Sequence, residues 1–288
     1  LPEEINWAMA AEWADSALGT WVVLTTSLGY TNGFNDPSTN HTYADMDGNT
    51  TIITQAADME AQKVMLVVNS AGNEGTSSWH YIGAPADGDS VLALGAITVD
   101  KEMAVFSSYG PSSDNRIKPN VSALGQGVIA VNPFQELKSI SGTSFSCPIT
   151  SGMAACLWEA FPQKSNMEIF YAIQQSAHLY YAPQNQFGYG IPNFEVAFQI
   201  LQTGASEEHK LKVFPNPADD EINVIFVEQK EGKCTINIAD ASGAIVYKES
   251  DYIKTYTFKV DVKFLPQGVY YLSVQQGKKV YKSKFIKE

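Results

Sequence analysis

The sequence predicts an α/β domain on a parallel sheet, followed by a small all-β antiparallel sandwich. Three observations carry that expectation. Over roughly the first two hundred residues, apolar runs alternate with helical stretches, the pattern of a parallel sheet with crossover helices. Over the last eighty or so, short alternating runs are separated by turn residues, the pattern of a sandwich. Between them the charge shifts. Residues 1–206 carry 6 Lys+Arg and 19 Asp+Glu, a net of −13, whereas residues 207–288 carry 13 Lys, no Arg and 12 Asp+Glu, a net of +1. So abrupt a change marks a domain boundary, and 288 residues suffice for two domains that each bury a core.

The first element is a helix over Pro2–Leu18, with Glu3 and Glu4 in its first turn and Gly19 beyond its end. An apolar strand, Trp21–Ser27, follows. Helix Thr50–Gln62 and strand Met65–Asn69 complete a βαβ unit with a right-handed crossover. Val91–Ile97 reads as a further strand. Ligands of such sheets bind beyond the carboxyl ends of the strands, where Ser27–Tyr30 and Ser70–Asn73 fall.

Gly142-Thr143-Ser144-Phe145-Ser146-Cys147-Pro148 turns a Gly-containing loop into a small-residue helix. Unpaired backbone N–H groups and a partial positive charge sit at such a helix start. They suit a serine that attacks a carbonyl and leaves an oxyanion beside it. Pro148 is expected in the first helical turn, where its missing N–H costs little. Ser70-Ala71-Gly72-Asn73-Glu74-Gly75 follows a buried strand, and an Asn there can aim its amide at a developing oxyanion. Ser27-Leu28-Gly29-Tyr30 again follows an apolar run. Alone, a Ser before a helix is a cap, and an Asn before Glu-Gly is a turn residue. Their company and order give the functional reading.

In that order, SLGY, SAGNEG and SGTSFSCP resemble the substrate-binding strand, oxyanion loop and nucleophile loop of the subtilisin-like serine proteases. Phe106–Pro111, Arg116–Gly125 and Phe187–Phe198 resemble that family too, so the likeness covers about residues 1–200. It implies a subtilisin-like three-layer domain, incomplete at its N-terminal side, over residues 1–203. It implies Ser144 as nucleophile, with the Asn73 amide and the Ser144 N–H as oxyanion donors. It also implies that Ser27, Leu28 and Gly29 pair with an extended peptide as an added strand. Ser70, Ala71 and Gly72 would wall the pocket for the residue before the scissile bond. Phe145 stands where many relatives have Met, Asn120 and Leu124 replace an Asp and a Pro in a surface loop, and Tyr30 is expected to narrow the pocket mouth.

The family's Asp and His precede its Ser, and no such motif is found here. His41 and His80 lack the H-G-T-H context, and His178 and His209 follow Ser144. The resemblance therefore implies a C-terminal part of a secreted serine endopeptidase, with Asp and His upstream and these residues inactive alone. The alternative is a non-catalytic, protease-derived surface binding protein. No metal is expected, although the oxygen-rich run Asp45–Asn49 leaves calcium open; a turn capping the next helix explains it as well.

Beyond a polar linker, residues 204–210, strands are expected at Ile222–Phe226, Cys234–Ile238, Ala244–Tyr247, Tyr256–Val260, Val269–Val274 and Val280–Ile286. Leu211-Lys-Val-Phe-Pro-Asn-Pro217 and Leu265-Pro-Gln-Gly-Val-Tyr-Tyr271 resemble the C-terminal sorting domain of the type IX secretion system, a family of Bacteroidota, over residues 211–288. That implies export across the outer membrane to the surface or medium, with polypeptide substrates and the type IX secretion machinery as partners. A net charge of −12 argues against nucleic acid. No apolar run is long enough to span a bilayer. Three cysteines make no disulfide framework; Cys147, Cys156 and Cys234 read as small core residues.

Overall fold

The structure, a computed structural model, describes residues 2–18, 22–203, 211–226, 232–253, 257–277 and 279–288. The expected linker 204–210, with His209 in it, lies outside the described residues, as do Gly19, Trp21 and Tyr256. The chain divides into two compact units, Leu1–Gln202 and Thr203–Glu288.

The first unit contains helix α1 (Pro2–Leu18), strand β1 (Val23–Thr26), helix α2 (Ile52–Gln62), and strands β2 (Leu66–Ser70), β3 (Leu92–Ile97) and β4 (Val121–Leu124). A hairpin of β5 (Val128–Val131) and β6 (Leu137–Ile140) leads into α3 (Thr143–Ala160), then α4 (Asn166–Gln175) and α5 (Phe194–Thr203). The sheet runs β1-β2-β3-β4, and every pair in it is parallel. Alternate side chains of a strand face opposite sides, and here both sides are covered. Leu66, Val68, Leu92, Leu94 and Val121 pack with Leu157, Trp158 and Ile169 from α3 and α4. Val67 and Val91 pack with Trp7, Ala11, Ile53 and Ala57 from α1 and α2. Those are the three layers.

Local chemistry sets the boundaries. α2 begins at Ile52 because Thr51 caps it, its hydroxyl accepting the Thr54 N–H at 3.3 Å. Asp47 accepts from the backbone of Asn49 and Thr50 and from the Thr50 hydroxyl. Asp45 likewise accepts from the N–H and hydroxyl of Thr42. Both carboxylates thus hold their own turns, which is the capping role that the sequence also offered for Asp45–Asn49. Among the described residues, no three acidic, His or Cys side chains converge as they would on a metal ion.

Four expectations need correction. Cys147 is buried but Cys156 is exposed. Nine residues are two and a half helical turns, so the two cysteines face opposite sides of α3. Pro148 sits in the second turn rather than the first, because α3 already starts at Thr143. Asn120 and Leu124 stand at β4 rather than in a surface loop; the Asn120 side chain is buried and accepts the Ala93 N–H at 2.9 Å. The Tyr30 ring stacks on Phe34 at 6.1 Å and does not line the cleft described below.

In the second unit the described strands pair antiparallel, and one isolated bridge, Ala218 to Lys287, is parallel. One sheet runs β10 (Ile245–Ile253), β9 (Gly232–Ala239), β12 (Gly268–Gln276), β13 (Lys279–Lys287), and the other β11 (Thr257–Asp261), β8 (Glu221–Phe226), β7 (Leu211–Phe214). Ile222, Val224 and Val260 of the smaller sheet share one core with Ile236, Leu272, Val274, Tyr281 and Phe285 of the larger. Cys234 is buried in it, as its strand position predicted. β7 lies in the Leu211–Pro217 motif, for which no strand was expected.

Candidate active site

Three segments meet at the carboxyl ends of the parallel strands. β1 runs out into Ser27–Gly29, β2 into Ala71–Asn73, and the β5–β6 hairpin delivers Gly142 and the start of α3. They enclose a cleft of about 160 Å³. Ser27, Leu28 and Gly29 form one side of it, Ser70, Gly72 and Asn73 another, and Thr143 and Ser144 border it at the helix N-terminus. Ala71 does not reach it. Its side chain is buried with Ile82, Ala86 and Ala93, and its N–H donates to Leu94 at 2.9 Å, so it backs the wall instead.

Gly142 makes the helix start possible. Its backbone (φ +157°, ψ +152°) lies in a region open in practice only to glycine. Ser144 is the second residue of α3, so its N–H has no carbonyl a turn earlier to bond. The Ser144 carbonyl is equally unusual. Its helical partner would be the N–H of residue 148, which is proline and has none. Ser27 supplies the missing donor, its hydroxyl lying 3.1 Å from the Ser144 oxygen. A break in the α3 ladder thereby ties the start of α3 to the Ser27–Gly29 wall.

Asn73 is held by one end. Its Oδ1 accepts the Thr143 N–H at 2.9 Å and the Thr143 hydroxyl at 3.0 Å. Both are donors, so the carboxamide oxygen must face them and the NH₂ must face away. A Cβ on Gly142 would lie 3.6 Å from that nitrogen. Thr143 Oγ1 also accepts the Gly72 N–H at 3.2 Å, joining the two loops a second time. Gly72 (φ +111°) must be glycine on two counts, since a Cβ there would also sit 2.8 Å from Ser108 Oγ.

Ser108, Thr31, Gly83 and Glu74 complete the cleft lining. No sequence signal assigned these residues or Thr143 a role in the cleft, because their roles depend on contacts with distant segments. No described histidine borders the cleft. The His41 Nε2 lies 2.9 Å from the buried Glu4 carboxylate. His80 packs against Tyr81 and Tyr109. His178 accepts the Ile191 N–H at 2.9 Å. Burial pushes the Cys147 thiol up, which suits a core residue rather than a second nucleophile.

A parallel α/β sheet with a serine at a helix N-terminus, facing a clamped asparagine, defines a hydrolase-like class of site. Comparison narrows the class. The family model of the subtilases matches residues 7–190, and the chain belongs to the subtilase family. It is 33% identical over 150 residues to Subtilisin DY of Bacillus licheniformis, a match covering 52% of each chain. With Alkaline elastase YaB of a Bacillus species it shares 32% identity over 143 residues, 50% of this chain and 35% of that one. The chain thus spans between about a third and half of the length of these relatives. Among solved structures, the self-cleaved protease domain of PatA is similar at a TM-score of 0.54 and 24% identity, covering 70% of this chain and 69% of that one. Sphericase follows at 0.50 and 24%, covering 66% and 62%. Both share the fold. Residues 212–288 match the secretion system C-terminal sorting domain, which marks the protein for secretion or the cell surface. Among the described residues no helix is long and apolar enough to cross a membrane.

Proposed function

We propose that this chain carries the nucleophile and oxyanion hole of a secreted serine endopeptidase, with Asp and His supplied by residues upstream of Leu1. The observation that carries the reading is the Thr143–Asn73 clamp. It leaves the Asn73 NH₂ as a pre-aimed donor beside Ser144, which a mere turn or cap would not require. In the reaction, Ser144 Oγ attacks the peptide carbonyl while the histidine takes its proton. The new oxyanion accepts from the Asn73 NH₂ and the Ser144 N–H. Collapse breaks the C–N bond, the amine leaves with the proton, and water hydrolyses the ester on Ser144. Ser27–Gly29 pairs with the extended substrate, and Ser70 and Gly72 flank the side chain before the scissile bond. Residues 211–288 engage the type IX secretion machinery.

The absence of a histidine from the described cleft favours a second reading, a protease-derived surface protein that binds without cleaving. A fluorophosphonate probe separates the two. The full-length polypeptide is expected to label, and its Ser144→Ala variant is expected not to. An unlabelled wild type with native secondary structure would leave the binding reading.

A further inference from the structure

β2 is apolar until Asn69, whose side chain is fully buried. A buried amide is costly unless its hydrogen-bonding groups are satisfied, and here they are. Asn69 pairs with Thr26 of β1 in the ladder register, and its Oδ1 accepts the Thr26 hydroxyl. Its NH₂ donates to the Leu28 carbonyl at 3.0 Å and to the Ser70 carbonyl at 2.8 Å. Those two carbonyls only accept, so the orientation of the amide is fixed.

The consequence lies one step further along the chain. Thr26↔Asn69 is the last ladder pair between β1 and β2. Beyond it β1 leaves the sheet, while β2 runs on beside β3 as far as Ser70. The Asn69 amide bonds a carbonyl of each wall, adding a rung where the backbone ladder has ended. In an extended strand, successive residues turn their backbone groups to opposite edges. An extended Ser27–Gly29 with its Leu28 carbonyl held toward Asn69 would present those of Ser27 and Gly29 to the other edge, along the cleft that all three residues line.

We propose that Asn69 is a positioning residue that holds Ser27–Gly29 as a ready template strand, so that an extended polypeptide is read over several residues. The proposal rests on the protease reading above. It predicts dependence on substrate length. A four-residue p-nitroanilide uses the template, whereas a single-residue ester needs only Ser144 and the oxyanion donors.

The test uses Asn69→Leu in the full-length polypeptide. KM for the four-residue substrate is expected to rise about tenfold, the value of one lost buried hydrogen bond. Its kcat, the kinetics of the single-residue ester and the rate of fluorophosphonate labelling are expected to stay near wild type. Should Asn69→Leu fold poorly, Thr26→Val removes only the hydroxyl that orients the amide, and a smaller rise in the same KM is expected. Equal losses of kcat on both substrates, or no change on either, would overturn the proposal. Calorimetric binding of the uncleaved four-residue peptide to Ser144→Ala gives a readout independent of turnover. If the wild type proves inactive yet this binding weakens about tenfold on adding Asn69→Leu, the protease reading fails and the template survives. If the wild type is active and binding ignores Asn69, the reverse holds.

Discussion

Both units place an asparagine just past a strand end and use it to grip a distant segment, but they use it differently. In the second unit, Asn216 follows β7. Its Oδ1 accepts the Ile286 N–H at 2.9 Å and its NH₂ donates to the Lys284 carbonyl at 3.3 Å. Each end of the amide is engaged, and β13 is fastened to the segment leaving the smaller sheet. In the first unit, Asn73 follows β2. Its oxygen takes two bonds from Thr143, while its NH₂ has no partner among the described residues. An amide held at both ends is a fastener. Held at one end, it is a donor kept ready for a ligand. The difference lies in what the partner offers to the amide: Thr143 turns an N–H and a hydroxyl hydrogen toward Asn73, its acceptor side being taken by Gly72, whereas β13 presents an N–H and a carbonyl.

The largest effects test whether the free end of Asn73 serves Ser144. Ser144→Ala in the full-length polypeptide is expected to abolish fluorophosphonate labelling and peptide hydrolysis. Labelling that persists would place the nucleophile elsewhere. Asn73→Leu is expected to lower kcat by about 10²–10³ with little change in KM, because the amide acts on the oxyanion rather than on the bound substrate. That magnitude was established for subtilisin, a relative, and is not calculated from this chain. A raised KM with intact kcat would make Asn73 a substrate contact instead.

A smaller effect tests the clamp itself. Thr143→Val keeps the shape of the side chain and removes the hydroxyl that donates to Asn73 and accepts from Gly72. The Thr143 backbone N–H still holds Asn73, so the amide loosens without being released. kcat is expected to fall about tenfold, roughly 1.4 kcal/mol, the order of one buried hydrogen bond. Steady-state kinetics beside a thermal melt would distinguish this from destabilisation. A fall in melting temperature with unchanged kcat would mean that the bond serves the fold alone.

The same contrast explains what the sequence disclosed. β1, β2 and β3 were legible from their apolar runs and α1 end to end, whereas β4, within Arg116–Gly125, was not. Ser27, Leu28, Gly29, Ser70, Gly72, Asn73 and Ser144 could be singled out because their motifs, placed after apolar runs or before a helix, resemble those of the subtilases in that order, and the structure brings them to one cleft. Asn69 was hidden, because it reads as the last residue of an apolar strand and its purpose depends on Leu28, 41 positions away. Thr143 was hidden for the same reason, acting on a partner 70 positions away. Cys156 and Pro148 were misplaced for another reason. The phase of α3 is set by the residue at which Gly142 lets it begin, and no periodicity in this small-residue helix reports that phase.

The smallest effect tests the fastener. Asn216→Ala removes both bonds to β13, but the neighbouring Ala218 keeps its own, donating to the Ile286 carbonyl at 2.7 Å and accepting the Glu288 N–H at 3.0 Å. The site is exposed, so water replaces part of what is lost. The expected cost is about 1 kcal/mol, or roughly 4–8 °C in the melting of a unit this size. The two units can be followed separately, because all five tryptophans lie within residues 1–158. Tryptophan fluorescence therefore reports only the first unit, and calorimetry reports both. Asn216→Ala is expected to lower a calorimetric transition while leaving the fluorescence transition and fluorophosphonate labelling where they were. If fluorescence and labelling move with it, the two units unfold as one, and the separation between a fastened and a poised asparagine would no longer coincide with a separation between the units.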